Sequence, residues 1–396
     1  MSTDYKLANL FFLCCLFPFI SIFPIGSDVQ PTAALVAAVF YTLKVVKTGK
    51  ISKLSVFLIF SIILAFLYVN PFEVVVFDPG KLLALVCALF TFTFIKQYHK
   101  YFSPKLFSIA IKIYFSLSIL FLIFPSHLVA FQSLLVRKMN VTEFGYRGIS
   151  TLSTEPGLFG GLLVGFMALN IYFFYSNRIT KFSFLINLVQ LFIMVALTKS
   201  GTGFAYLLMF FLTFLVLRRF DIKKALKVSL ILLVFGGLLL STNSKNLDIE
   251  KLGRGVDTFA KLTKQPELLI ADRSIVYRLY AVYVSYLSVL DSPFGVGHGN
   301  VEYESQRIVE QQTTLNNFYA AYGEKFHPVS AFGFYFTAYG VFFLLPIIYL
   351  LVISSAAPSF KILSLVYILF SYSFAFPMTW LLLNLSLKRK LNRGSE

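Results

Sequence analysis

The chain has 396 residues, 58% of them hydrophobic and only 13% charged, with a mean hydropathy of +0.78. That balance lies outside the soluble globular range and points to an all-α polytopic membrane protein, a single integral membrane domain over 1–396. The formal net charge of +17 sits in short loops, not in a basic soluble domain interleaved with aromatics, which excludes a nucleic-acid-binding protein.

Apolar runs long enough to cross about 30 Å of hydrocarbon recur from end to end. The first, 7–25, includes "ANLFFLCCLFPFISIF" and ends in Pro24 and Gly26 without a small-x-small cleavage site. It is therefore expected to remain as the first span. Further spans are expected near 31–46, 54–70, 82–98, 105–124, 157–176, 182–198, 202–217, 226–241 and 330–352. Cys14, Cys15 and Cys87 all fall inside spans, where they read as small buried apolar residues and imply no disulfide framework. The 47 Phe and 22 Tyr are expected at lipid-facing and interfacial positions. The last apolar stretch, 361–387, breaks at Pro377 into two half-spans, which gives about 12 transmembrane helices, with 11 as the alternative. No internal repeat marks two inverted transporter halves.

Charge sets the expected orientation. Alternate loops read "KVVKTGKISK", "KQYHKYFSPK", "NRITK" and "RRFDIKKALK", all basic and so assigned to the cytoplasmic side. Of the 18 acidic residues, Asp28, Glu73, Asp78, Glu143, Glu155 and the ten within 242–328 then lie outside. Some of the positive charge also serves attraction to anionic membrane lipid headgroups.

Two extracytoplasmic loops carry the candidate chemistry. The first, 125–156, contains "FGYRGISTLSTEPGLFGG". Glu155 stands directly before a span, where a carboxylate can cap the helix and complement its dipole. The functional alternative has Arg147 binding an anion and Glu155 binding a sugar hydroxyl or acting as a base. The second loop, 242–328, contains "DRSIVYRLYAVYVSYLSVLDSPFGVGHGN". Arg273 and Arg278 lie five apart in a helix-permissive stretch, offset by about 500° of rotation, and guanidinium forks suit phosphate. Tyr277, Tyr280, Tyr283 and Tyr286 predict an amphipathic helix at the interface. The turn "GVGHGN", with His298, either brings flexible backbone close to a phosphate or sugar or merely reverses the chain. His327 sits just before a late span, and its ordinary pKa suits acid–base work near neutrality. With four His in total and no Cys outside the spans, neither a metal site nor a haem is expected, and no cofactor is implied.

"TLSTEPGLFGG", "LTKSGTG", "DRSIVYRL…DSPFGVGHGN" and then His327, in that order over roughly 145–345, resemble the O-antigen polymerase (Wzy-type) and O-antigen ligase-like superfamily. The resemblance implies a glycosyltransferase of GT-C-like membrane fold in the bacterial inner (cytoplasmic) membrane, with its site on the periplasmic side. Its substrate would be an undecaprenyl-pyrophosphate-linked oligosaccharide. As a polymerase it would move a growing glycan from its lipid pyrophosphate onto the next lipid-linked repeat unit, in company with a chain-length regulator protein. It implies pyrophosphate contacts from Arg147, Arg273 and Arg278 and a catalytic role for His327. Lys199 in "TKSGTG" stands where many relatives have Arg. Pro328 follows His327 where ligases have Asn, Ser or Gln, which favours polymerase over a ligase that transfers glycan to lipid A–core. The chemistry expected is an inverting, metal-independent transfer with Glu155 or His327 as base. A polysaccharide flippase or other transporter is the alternative from another class. It would place charge in mid-membrane helices, where this chain has almost none.

Overall fold

A computed structural model describes residues 3–21, 28–49, 51, 56, 79–136, 148–216, 273–313, 315–317, 330–370 and 373–386. Among these the chain is all-helical, with no β-strand. Among the described residues three helices are long and apolar enough to cross a membrane, within Gly80–Tyr101, Pro104–Ile123 and Pro156–Tyr175. With the shorter apolar helices around them, they give the chain the character of a membrane-embedded protein. The spans expected at 54–70 and 226–241 lie outside the described residues.

The helices begin and end where local chemistry dictates. Helix α1 (Thr3–Leu16) stops just before Pro18, shorter than the span expected over 7–25. Helix α2 (Thr32–Thr48) closes on Gly49, whose left-handed backbone lets its N–H reach Val45 O at 2.8 Å. After α3 (Pro79–Tyr98) and a 3₁₀ turn, Ser103 caps α4 (Pro104–Ile123) by accepting from Leu106 N–H, with Pro104 at the first helical position. Thr180 does the same for α7 (Lys181–Leu197) by accepting from Ser183 N–H. Between them runs α6 (Pro156–Tyr175), the most enclosed of the three span-length helices among the described residues.

The core is aromatic: many of the described phenylalanines face other helices rather than lipid, while Phe124, Phe131, Phe182, Phe294 and Phe342 are exposed as expected. Phe11 stacks on Phe94 at 4.2 Å, Phe12 on Phe102 at 4.6 Å, and Phe107 meets Phe166 edge-on at 5.6 Å, all fully buried. Lipid tails are as apolar as Leu, so helices in a membrane associate through packing and polar contacts rather than through exclusion of water. Flat rings that fill interhelical gaps supply that packing. The polar contacts are there too. Buried Asn187 of α7 donates to Asn170 of α6 and to Ser108 of α4, both at 3.2 Å.

The relative direction of α4 and α6 follows from their ring pairs, Phe107 with Phe173 and Tyr114 with Phe159. They run antiparallel, and α6 starts below the far end of α4. The first expected loop, 125–156, is in part a helix, α5 (Pro125–Leu135), which folds back along α4. Helix α8 (Gly201–Val216) crosses α6 so closely that a Cβ on Gly160 would stand 2.5 Å from Gly203 Cα.

In the second half, α9 (Arg273–Asp291) packs on α10 (Val301–Gln311) and on α11 (Ala331–Tyr339). The single span expected over 330–352 is instead α11 and α12 (Val341–Ile353), broken at Gly340, whose φ of +56° ends the first helix. The break expected at Pro377 is present. Helix α13 (Pro358–Phe370) is followed by α14 (Pro377–Leu382), and Ser364 Oγ–Thr379 O and Ala357 N–Leu385 O bonds fix the two as antiparallel. With six residues, α14 is too short to cross a membrane.

Candidate functional site

Glu155 occupies the N-cap position of α6, with extended backbone at φ −141° and ψ 148°, yet its side chain accepts no capping hydrogen bond. Its carboxylate is exposed, while the residues leading to it are buried: Ser150, Thr151, Ser153 and Thr154. Gln132 of α5 holds that segment by donating to Ser150 Oγ at 3.2 Å and to Ser153 O at 2.9 Å. Ser153 Oγ in turn donates to the Glu155 carbonyl at 3.2 Å. The loop is thus fixed by its serines and by Gln132, and the carboxylate has no structural duty among the described residues.

The turn between α7 and α8 lies at the same end. A Cβ on Gly157, two residues past Glu155, would touch Ser200 Oγ at 3.4 Å, and Ile149 N–H donates to Leu197 O at 3.0 Å. Within this turn Ser200 caps α8 by accepting from Gly203 N–H at 3.3 Å, and buried Thr198 Oγ1 accepts from Ser200 N–H. Between them Lys199 has φ +46°, in the left-handed region that side chains with a Cβ avoid at a cost of roughly 1–2 kcal/mol. Its half-buried side chain makes no hydrogen bond or ion pair with a described residue.

Among the described residues three non-glycine positions have positive φ: Thr151, Asn177 and Lys199. Asn177 ends α6, where an asparagine in this conformation is a common helix stop. The other two flank Glu155, one in the buried loop before it and one in the facing turn. Backbone held in such regions clusters at sites where position matters more than stability.

The second candidate region is organised differently. The glycine-rich turn after α9 lies against the end of α11: Val296 N–H donates to Thr337 O at 3.1 Å, Gly297 N–H to Ala338 O at 3.0 Å, and Val341 N–H to Pro293 O at 2.9 Å. The first two satisfy carbonyls that the end of α11 leaves open and the third an N–H at the start of α12, so this backbone is used in the fold. His298 is buried, its ring edge-on to Phe334 at 4.9 Å. Lys81, from the start of α3, stands over the same Phe334 ring at 5.2 Å. In the sequence Lys81 is a lone cation at a span end, and only the packing of α3 on α11 reveals its neighbour. A further cation is fully engaged. Arg307 of α10 forms a bidentate pair with Glu304 (2.7 and 2.8 Å) and reaches Asp291 at 2.8 Å, tying α10 to the end of α9. The hydrogen bonds to Glu304 and then Asp291 raise its pKa above its already high value.

Arg273 and Arg278 both lie in the first two turns of α9, as the helix-permissive reading predicts. The tyrosine stripe does not share one face, however. Tyr277 and Tyr280 pack inward beside Ala281, Val284 and Ile308, while Tyr283 and Tyr286 are exposed. A spacing of three falls short of the 3.6-residue turn by about 60° per step, so the stripe winds around the helix. Arg147 and His327 lie outside the described residues. The structure therefore brings together Glu155 and Lys199, and separately Lys81, Phe334 and His298. Among the described residues no cluster of three His, Cys, Asp or Glu is arranged to hold a metal ion. Comparison of the chain with protein families, with characterised proteins and with solved structures finds no match.

Proposed function

We propose that this protein is a polymerase of lipid-linked oligosaccharides, a membrane glycosyltransferase of about 12 spans and GT-C-like fold in the bacterial inner membrane. The observation that carries the reading is the placement of Glu155 and Lys199 in two turns that touch at one end of the bundle. A carboxylate and an ammonium, neither engaged with a described residue, stand at one end of an apolar helical bundle on strained, tightly braced turns. That is an arrangement for a polar substrate whose remainder is a lipid.

In the proposed step an acceptor sugar hydroxyl attacks the anomeric carbon of the donor glycan from the face opposite its pyrophosphate. The new C–O bond forms as the bond to the lipid pyrophosphate breaks. The hydroxyl proton passes to Glu155, with His327 as the other candidate base, and the negative charge leaves on the pyrophosphate. Lys199, Arg147, Arg273 and Arg278 supply the cations that stabilise that leaving group, which lets the transfer proceed without a divalent metal.

The test uses cells lacking the gene, complemented with wild type, Glu155→Gln or Arg278→Ala, with surface glycan resolved by size. Both variants are expected to give glycan arrested at a single repeat unit. In a reconstituted assay Glu155→Gln slows transfer by about 10²-fold. Its thermal stability stays within about 0.5 kcal/mol, because no cap is lost. Long polymer that accumulates on its lipid carrier would identify a ligase instead, and repeat units trapped on the cytoplasmic side would identify a transporter. Loss of transfer with EDTA and recovery with magnesium would remove the metal-independent part.

A further inference from the structure

Helix α4 carries one charge deep in its apolar length. Lys112 is eight residues past Pro104, about 12 Å along the helix axis. A four-carbon stem recovers only part of that distance toward the helix start. Its side chain is exposed and meets no hydrogen-bond or ion-pair partner among the described residues. An ammonium at such a depth, facing hydrocarbon, is costly unless an anion comes to it.

The surroundings supply a place for one. Lys112 and Ser116, one turn apart on the same face, open onto a lateral groove of about 480 Å³. The groove is flanked by Ile109, Ile113 and Leu117 of α4 and, opposite, by Phe131 and Leu135 of α5 and by Leu152. Its volume falls within the roughly 300–1,000 Å³ of sites that hold small ligands. Lys112 and Ser116 are its polar side chains, on the stretch of α4 between Ile109 and Leu117; the rest of the wall is hydrocarbon, and Lys100 and Lys105 add positive charge in the sequence on the α4 N-terminal side.

We propose that this groove is a binding site for one anionic phospholipid, its phosphate held by Lys112 Nζ and Ser116 Oγ and one acyl chain lying between α4 and α5. The placement of charge selects this occupant. The cation lies in the half of α4 nearer the basic loop that precedes it, with Ser116 and Leu117 further along the groove, so a lipid of that leaflet enters with its phosphate at the lysine and its chain running inward. A lipid entering from the Glu155 end would lay its hydrocarbon tail against the ammonium. The inference goes beyond the proposed transfer reaction and does not depend on it.

The experiment takes the full-length protein in mild detergent and adds phosphatidylglycerol, phosphatidylcholine or undecaprenyl phosphate, with retained lipid counted by native mass spectrometry. Wild type is expected to keep one phosphatidylglycerol about fivefold more tightly than phosphatidylcholine, as one lysine near a lipid phosphate provides. Lys112→Gln abolishes that preference, Lys112→Arg keeps it, and Ile113→Trp, which fills the groove from an exposed position, weakens both phospholipids. A preference that survives Lys112→Gln, or no preference in wild type, overturns the proposal. Displacement of phosphatidylglycerol by an equal amount of undecaprenyl phosphate also overturns it and assigns the groove to the glycan carrier.

Discussion

Two parts of this protein are built on glycine, and they use it to opposite ends. Where α6 crosses α8, Gly160 and Gly203 bring two regular helices into contact and leave the flanking turns to other residues. Glu155 and Lys199 stand in those turns without a described partner. Where α9 meets α11, the glycine-rich turn itself is bound, its N–H groups closing the end of α11, and the nearby cation Arg307 is held by two carboxylates. The lesson is that neither a glycine motif nor a charge count marks a site. What marks one is polar groups left over after the fold has satisfied its own.

The largest losses of stability are expected at the glycines. At Gly340 an added Cβ would overlap the Pro293 carbonyl in a backbone at φ +56°, so Gly340→Ala is expected to cost about 3 kcal/mol through strain and clash together. Gly160→Ala, clear of that conformational penalty but 2.5 Å from a backbone atom, is expected to cost about 2 kcal/mol. Melting points of the purified variants in one detergent give both values. An unchanged Tm for Gly340→Ala would mean that the α9–α11 turn is not the fixed joint described above.

At Arg307 the expected effect is smaller. Its pairs lie partly in solvent, so Arg307→Met is expected to lower stability by only about 1 kcal/mol and to leave glycan length unchanged. If elongation stopped while the melting point held, Arg307 would belong with the unengaged cations and the distinction between the two regions would fail.

Much of the helical framework was legible in the sequence, because apolar length and proline or serine starts act locally. Pro104, Pro156 and Thr180 open helices where the pattern places them, and Pro377 breaks the final stretch. The misses come from tertiary contact. Gly340 reads as one more small residue inside a span until Pro293 is packed against it. The phenylalanines read as lipid-facing because composition cannot tell a ring that meets lipid from one that meets another helix. Of the candidate site, Glu155 and Lys199 are each legible singly. That they share an end of the bundle depends on the α6–α8 crossing, which pairs residues more than forty positions apart. Lys81 carried no local signal at all.

Lys199 offers the finest test of the idea that polar groups at this end are held at the expense of stability. The position closes α7 in a left-handed conformation that glycine adopts without strain. Lys199→Gly is therefore expected to stabilise the protein, by about 0.5 kcal/mol after the greater freedom of glycine in the unfolded chain is set against the relieved strain. If the ammonium assists departure of the pyrophosphate, the same variant loses transfer activity, and Lys199→Arg retains it on the same strained backbone. A variant that is both more stable and fully active would make Lys199 an ordinary helix terminator. A variant more stable and inactive would show that the fold tolerates a poor cap here because the charge is needed.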